Sequence, residues 1–141
     1  MKLICLFIFA LFFNPVFSQD IIKEKPVQTS IVNLIVTPEK FENKKVIIKG
    51  FLALEKENNG IYLTKDDLTY RNTKNSIFLL LSYDMIDDLY KKKLDGKYVV
   101  ILGEYYIPKI EVFKKAYSKY GGVLNNVENV QQIYEFDSTD L

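Results

Sequence analysis

The chain has 141 residues, with no His, no Trp and one Cys, and its 19 Lys and Arg stand against 18 Asp and Glu for a formal net charge of +1. The absence of His excludes catalytic triads built on imidazole and imidazole metal ligands. The near-neutral charge gives no sign of the basic surface that nucleic-acid binding usually needs.

The N-terminal segment predicts export. Lys2 precedes an apolar run that ends at Asn14-Pro15. This run is too short to cross a bilayer, which takes about 20 residues, but it suits a secretory signal peptide. Val16 and Ser18 then offer a cleavage site after Ser18, so we expect a signal peptide over 1–18 and a periplasmic or secreted protein. An uncleaved N-terminal anchor is the alternative.

Cleavage changes the composition of the mature chain. Loss of Lys2 leaves 18 basic against 18 acidic residues, and loss of Cys5 leaves no cysteine. The mature protein is therefore expected to be neutral, free of disulfides and without a membrane span. We expect it to consist of a flexible lead-in over 19–30, one compact domain over 31–136 and a short tail over 137–141.

The first strand-like block runs from Lys45 to Glu55, where apolar residues alternate between two faces. A glycine inside so long a strand indicates a bend, so Gly50 is expected at a barrel corner. Asn58-Asn59-Gly60 predicts a turn, and Ile61–Thr64 a second strand. Before this block, Thr37 and Pro38 predict one short helical turn.

The third strand is expected over Ser76–Leu81, after a polar connection over Lys65–Asn75. A helix should follow from Asp84, as its cap, to Leu94. Its lysine run, Lys91-Lys92-Lys93, falls in the last turns, where the helix dipole favours positive charge. The predicted buried stripe of this helix consists of Met85, Ile86, Leu89 and Tyr90.

A second strand-like block, Lys97–Gly103, repeats the pattern of Lys45–Gly50, with β-branched residues leading to a glycine. Two bent strands of one design suggest a small closed barrel with corners at Gly50 and Gly103. A polar connection over 108–126 should follow, and Val127–Phe136 should form the last strand.

The order of three strands, one helix and two strands resembles the OB-fold, and the run over Lys44–Gly50 is the most similar piece. The chain also resembles exported bacterial proteins with a Pro-x-x-Phe/Tyr-x-x-Lys motif before such a strand, here Pro38–Lys44. The resemblance implies a mainly β fold, a five-stranded Greek-key barrel with one helix between strands three and four.

The resemblance also implies a ligand-binding face on strands two and three, framed by the 55–60 turn and the 107–126 loop. Tyr62 and Phe78 would lie on this face and could stack on a ring, and Tyr70, Arg71 and Lys74 would project from the neighbouring connection. The alternative is that Tyr62 and Phe78 are ordinary side chains of the barrel.

These features favour an exported, non-enzymatic binding module for a glycan, a peptide or a partner protein. A structural or assembly protein is the alternative, and a carboxylate-based hydrolase is a weaker one. Neutral charge and a single arginine, Arg71, argue against nucleic acid. The acidic clusters Asp66-Asp67 and Asp84-Asp87-Asp88 match no Ca²⁺ loop, so we expect capping and solvation there, with no metal or cofactor.

Overall fold

The computed structural model describes residues 24–134. The predicted signal peptide over 1–18, residues 19–23 of the predicted lead-in, the last two residues of the predicted final strand and the predicted tail over 137–141 lie outside the described residues. Within the lead-in, Val27 and Gln28 pair in parallel with Val46 and Ile47. This part of the segment is therefore a short strand.

Six strands and four α-helices make up the described part of the chain. None of these helices is long and apolar enough to cross a membrane. The strands are β1 (Val27–Gln28), β2 (Lys45–Ala53), β3 (Gly60–Tyr62), β4 (Ser76–Leu79), β5 (Tyr98–Tyr106) and β6 (Val123–Gln132), and the helices are α1 (Ile31–Val36), α2 (Lys65–Thr69), α3 (Tyr83–Lys91) and α4 (Glu111–Tyr117).

Five of the strands close into a barrel. β2 pairs with β3, β3 with β4, β4 with β6, β6 with β5, and β5 returns to β2. All of these pairings are antiparallel except that of β4 with β6, which is parallel. Helix α3 lies between β4 and β5 in the chain. This is the topology of an OB-like barrel, and the predicted fold class is confirmed.

The bend in β2 lies at Gly50, as predicted. β5 pairs with β2 from Lys45 to Phe51, while the other edge of β2 pairs first with β1 and then, from Phe51, with β3. A Cβ at position 50 would lie 2.5 Å from the carbonyl oxygen of Tyr62 and 2.7 Å from Cγ1 of Ile61. Only glycine allows the backbones to approach this closely where β2 changes partners.

The second predicted corner, Gly103, also lies at an irregularity. The register of β5 against β6 shifts between Leu102 and Glu104, which marks a β-bulge beside this glycine. A Cβ at position 103 would lie 2.8 Å from Cγ of Leu124. The irregularity in β5 therefore lies at a position where a Cβ atom would clash with the Leu124 side chain.

The barrel interior is filled by alternate residues of the strands. In β5 the buried positions alternate with half-buried ones along the whole strand, as a two-residue period requires. Helix α1 adds two fully buried side chains and α3 adds Leu89. The largest fully buried side chains are Tyr62, Tyr105, Ile31, Leu34, Ile48, Leu52, Ile61, Ile77, Leu79, Ile101, Leu124 and Val46.

Several predicted boundaries differ from the structure, and the predicted connections over 65–75 and 108–126 contain the short helices α2 and α4. β6 begins at Val123, four residues before the predicted Val127. Asn126 has a φ of 45°, which asparagine tolerates, so it lies within the strand rather than in a turn before it. Helix α3 begins at Tyr83, and the Ser82 side chain rather than Asp84 caps it by accepting from the Met85 amide.

The connection over 65–75 is ordered around one buried carboxylate. Asp67 accepts hydrogen bonds from the Thr64 hydroxyl at 2.6 Å and from the side-chain amides of Asn72 and Asn75 at 2.8 and 2.9 Å. Burial would raise the pKa of Asp67, but these hydrogen bonds outweigh it and hold the pKa below its ordinary value. Asp67 therefore anchors α2 and the following turn, a structural role of the kind predicted for this acidic pair.

We expect Gly50→Ala to lower the free energy of unfolding by about 3 kcal/mol, because the added methyl group must displace the backbone of β3. Denaturant unfolding measures the loss. Gly60→Ala is the matched control, since a Cβ there would meet its nearest atoms at an ordinary 3.5 Å. Equal stability losses in the two variants would contradict this account of the corner.

Candidate ligand-binding groove

The outer face of β3 and β4 is covered by the segment that connects β5 to β6. Tyr117, at the end of α4, packs on Phe78 with ring centroids 4.6 Å apart, and Tyr120 meets the edge of Phe78 at 5.2 Å. Val123 and Tyr106 complete this small apolar cluster, which lies outside the main core. The connection therefore folds back over the strands instead of framing an open face.

A groove of about 490 Å³ lies beside this cover. Ile35 and Pro38 form one wall, and the end of β5 and the residues after α4 form the other. Ser118, Gly121 and Gly122 contribute to this second wall. Three parts of the chain that are distant in sequence thus line the groove, and their positions in the fold determine its shape.

Tyr105 fixes the floor of the groove. Its side chain is buried in the core, and its hydroxyl lies 2.8 Å from the Gly121 carbonyl oxygen and 3.1 Å from that of Leu34. Burial, together with the nearby carboxylates of Glu39 and Glu42, raises the pKa of Tyr105 to about 12. The phenol therefore stays protonated at neutral pH and serves as a hydrogen-bond donor that joins α1 to the loop after α4.

The charged side chains that line the groove are all basic. Lys74 comes from the turn before β4, Lys114 from α4 and Lys119 from the loop after α4, and among the described residues no carboxylate lines the groove with them. The positive charge of the three lysines is therefore directed at a shared space, and an anionic group placed there would be attracted by all three.

The 55–60 turn is tied to the same loop. The side-chain oxygen of Asn58 accepts from Lys119 Nζ at 3.0 Å and lies 3.4 Å from the Tyr120 hydroxyl. Lys119 also lies over the Tyr120 ring, 5.2 Å from its centroid. Burial raises the pKa of Tyr120 to about 12, with Tyr62 and Glu55 adding to the shift. These contacts fix the loop from the side opposite α1.

The structure separates the five predicted site residues. Tyr62 and Phe78 are buried, with 2% and 8% of their surfaces exposed, and neither offers an open ring face to a ligand. Tyr70 is exposed away from the groove, and Arg71 forms an ion pair with Glu55. Arg71 also donates to the Leu68 carbonyl oxygen at 3.0 Å. Of the five, only Lys74 lines the groove.

Sequence reasoning missed Tyr105, Lys114, Tyr117 and Lys119, which fell in a strand or in the connection predicted to be a loop. The signal that could have found them is the pattern in 113–120, where apolar and aromatic residues recur at helical spacing beside lysines. Phe113 and Tyr117 are four residues apart and their rings stack at 6.5 Å. This spacing marks one face of α4.

Within residues 24–134, no group of three or more Asp, Glu, Cys or His side chains could hold a metal ion. In the other predicted acidic cluster, Asp87 and Asp88 form ion pairs with Lys91 and Lys92 one turn further along α3. These pairs lie in solvent, where each contributes less than about 1 kcal/mol. The lysine groove is therefore the site with the clearest binding chemistry.

Comparison with known proteins adds a structural likeness. No family model matches the sequence, and no curated protein matches it either. One solved structure, of a protein of Leishmania major Friedlin assigned as an aspartyl-tRNA synthetase, superposes with a TM-score of 0.42 at 15% sequence identity. The match covers 80% of this chain but only 22% of that one.

We expect an alkaline titration to show two phenols that ionise near pH 12, because Tyr105 and Tyr120 have pKa values raised to about that value. Since the folded protein binds these protons more tightly than the unfolded chain, the stability they contribute is complete below about pH 10 and declines as the pH rises toward 12. Phenolate absorbance and thermal unfolding measure both effects.

Tyr105→Phe should remove one of the two late-ionising phenols and destabilise the protein by about 1 to 2 kcal/mol at neutral pH, because two carbonyl groups lose their donor. Tyr70→Phe, at an exposed position, is the control and should preserve the late component. A late component that survives in Tyr105→Phe at full amplitude would contradict the assignment.

Proposed function

We propose that the protein is a non-enzymatic binding module whose ligand carries several negative charges, as an acidic glycan or an acidic peptide does. The observation that supports this proposal is the set of three lysines, Lys74, Lys114 and Lys119, around one groove without a carboxylate in its lining. OB-like barrels bind oligomeric ligands on this side of the fold.

The groove suits a saccharide or peptide better than a nucleic acid. Binding of single strands relies on exposed aromatic rings that stack on the bases. Here Tyr120 is buried against Phe78 and its remaining face lies under Lys119. The groove offers a ligand the charge of three lysines beside an apolar lining that includes Ile35, Pro38 and Ile107, a combination that binds an acidic oligomer without base stacking.

The groove also supports binding rather than catalysis. Tyr105, which forms its floor, stays protonated at neutral pH, so it cannot act as a general base there. Ser118 contributes a hydroxyl to the groove, but this hydroxyl donates to the Lys115 carbonyl oxygen at 3.1 Å rather than to a base that would activate it. We therefore assign the lysines the role of binding the negative charges of the ligand.

We further propose that the protein acts outside the cytoplasm. The short apolar run after Lys2 and the small residue Ser18 support a signal peptide over 1–18, and the motif at Pro38–Lys44 resembles that of exported bacterial proteins. The barrel lies entirely within the described residues 24–134, so cleavage after Ser18 leaves it whole.

A binding screen tests the groove. Polyglutamate and an oligosaccharide of uronic acids should raise the melting temperature at physiological salt, and a neutral oligosaccharide should not. Since exposed charge pairs contribute up to about 1 kcal/mol each, replacing all three groove lysines with Gln should weaken binding roughly thirtyfold. Lys91, Lys92 and Lys93, changed together to Gln, remove the same charge from α3 and form the control.

Several outcomes would count against this function. Equal losses in the two triple variants would assign the effect to net charge instead of the groove. A stronger shift with a short oligonucleotide than with either acidic polymer would favour a nucleic-acid module. No shift with any of these probes would favour a structural or assembly role.

Export is tested separately. When the full chain is expressed in a bacterium, the mass of the processed protein should correspond to a chain that begins at Gln19. Replacing the apolar Leu11 with Arg should leave the protein unprocessed and inside the cell, because a charge interrupts the apolar run. A protein that keeps residues 1–18 and stays membrane-bound would instead indicate the uncleaved anchor.

A further inference from the structure

Helix α4 projects from the barrel. Every residue from 109 to 116 is exposed, and only Tyr117 at its end is half-buried against the β-strand cluster. The segment is held at its two ends, by the strand pairing of β5 before it and by Tyr120 and Gly121 after it. Its middle is therefore free to contact something outside the molecule.

The exposed surface of this segment is apolar. Ile110 and Val112 have 60% and 75% of their surfaces exposed, and Phe113 has about half of its surface exposed. We call these three side chains the α4 tip. They stand within four consecutive positions, and apolar side chains exposed together in this way mark a surface that contacts a partner.

Lysines surround the α4 tip. Lys109, Lys114, Lys115 and Lys119 lie within eleven residues that hold one acidic side chain, Glu111. Lys109 pairs with Glu42, whereas Lys114 and Lys115 form no ion pair within the described residues. The segment is thus locally basic in a chain whose overall charge is close to zero.

We propose that the α4 tip inserts into the surface of an anionic phospholipid bilayer. The apolar side chains would enter the boundary between headgroups and acyl chains, and Lys114 and Lys115 would contact the lipid phosphates, as in other basic amphipathic segments that lie on membranes. Lys114 also lines the lysine groove, whereas the α4 tip residues and Lys115 do not, so these four residues separate lipid contact from the function proposed above.

The shape of the α4 tip favours a bilayer over a folded protein. A stable protein partner buries about 800 Å² of matched surface on each side, usually across a flat or complementary face. Here the exposed apolar surface comes from three side chains at the start of one short helix, much less than such a face supplies. A fluid bilayer takes up a few apolar side chains without a matched surface.

Vesicle sedimentation tests the proposal on protein freed of residues 1–18, whose own apolar run would bind lipid. The protein should sediment with vesicles that contain phosphatidylglycerol, and far less with vesicles of phosphatidylcholine alone. Ile110→Ser combined with Val112→Ser should lower the partition coefficient about tenfold, because the inserted apolar surface is lost. Val36→Ser, at an α1 position that is 70% exposed, is the control and should bind like the wild type.

Two single-lysine variants test whether the lysines beside the α4 tip contribute to lipid binding. Lys115→Gln should reduce binding to anionic vesicles about fivefold, since a lysine near such a surface gains attraction from the lipid charge. Lys91→Gln removes an equal charge from α3 and should leave binding unchanged. Lys115 does not line the groove, so a ligand-binding defect and a lipid-binding defect can be told apart.

The absence of tryptophan allows a direct reporter of insertion. Val112→Trp places a single indole at the α4 tip, and its emission should shift to shorter wavelength when anionic vesicles are added. Val36→Trp should show no shift. A blue shift of the Val112→Trp emission with rising protein concentration and no lipid would overturn the proposal in favour of self-association. Equal binding of wild type and the Ile110, Val112 double variant to anionic vesicles would overturn it too.

Discussion

The barrel depends on one strand, β2, that pairs with three other strands. It pairs with β5 along most of its length on one edge, and on the other edge it changes from β1 to β3 near Gly50. No Cβ fits at that corner, because the β3 backbone and the Ile31 side chain of α1 already fill the space. The absence of a side chain at one position therefore allows the sheet to close into a barrel.

Closure determines where the loops come together. β5 and β6 are antiparallel neighbours in which Tyr106 pairs with Val123, so the segment over 107–122 is a long loop that leaves the sheet and returns to it at the same place. It passes over the outer face of β3 and β4 and is fixed there by Tyr117 and Tyr120 against Phe78. The lysine groove forms where this loop meets α1 and the turn before β4.

The sequence was sufficient to predict the barrel because its main signals are local. A two-residue period and a glycine at each corner can be recognised along a single strand, so Gly50 and Gly103 were identified correctly. The groove is different, since its walls come from segments far apart in the chain. Phe78 is buried by Tyr117 and Tyr120, some forty positions later in the chain. The sequence around Phe78 itself therefore does not predict its burial.

Covering the strands has a consequence for binding. On an open face, Phe78 would supply stacking and its neighbours would supply charge at the same place. The 107–122 segment instead covers the aromatic rings and, together with the turn before β4, brings Lys74, Lys114 and Lys119 to one groove whose lining also includes Ile35 and Pro38. An anionic group in that groove would meet lysine charge, whose attraction weakens as salt rises. Ile110 and Val112 of the same segment are exposed and do not line the groove, so one loop presents two surfaces of different chemistry.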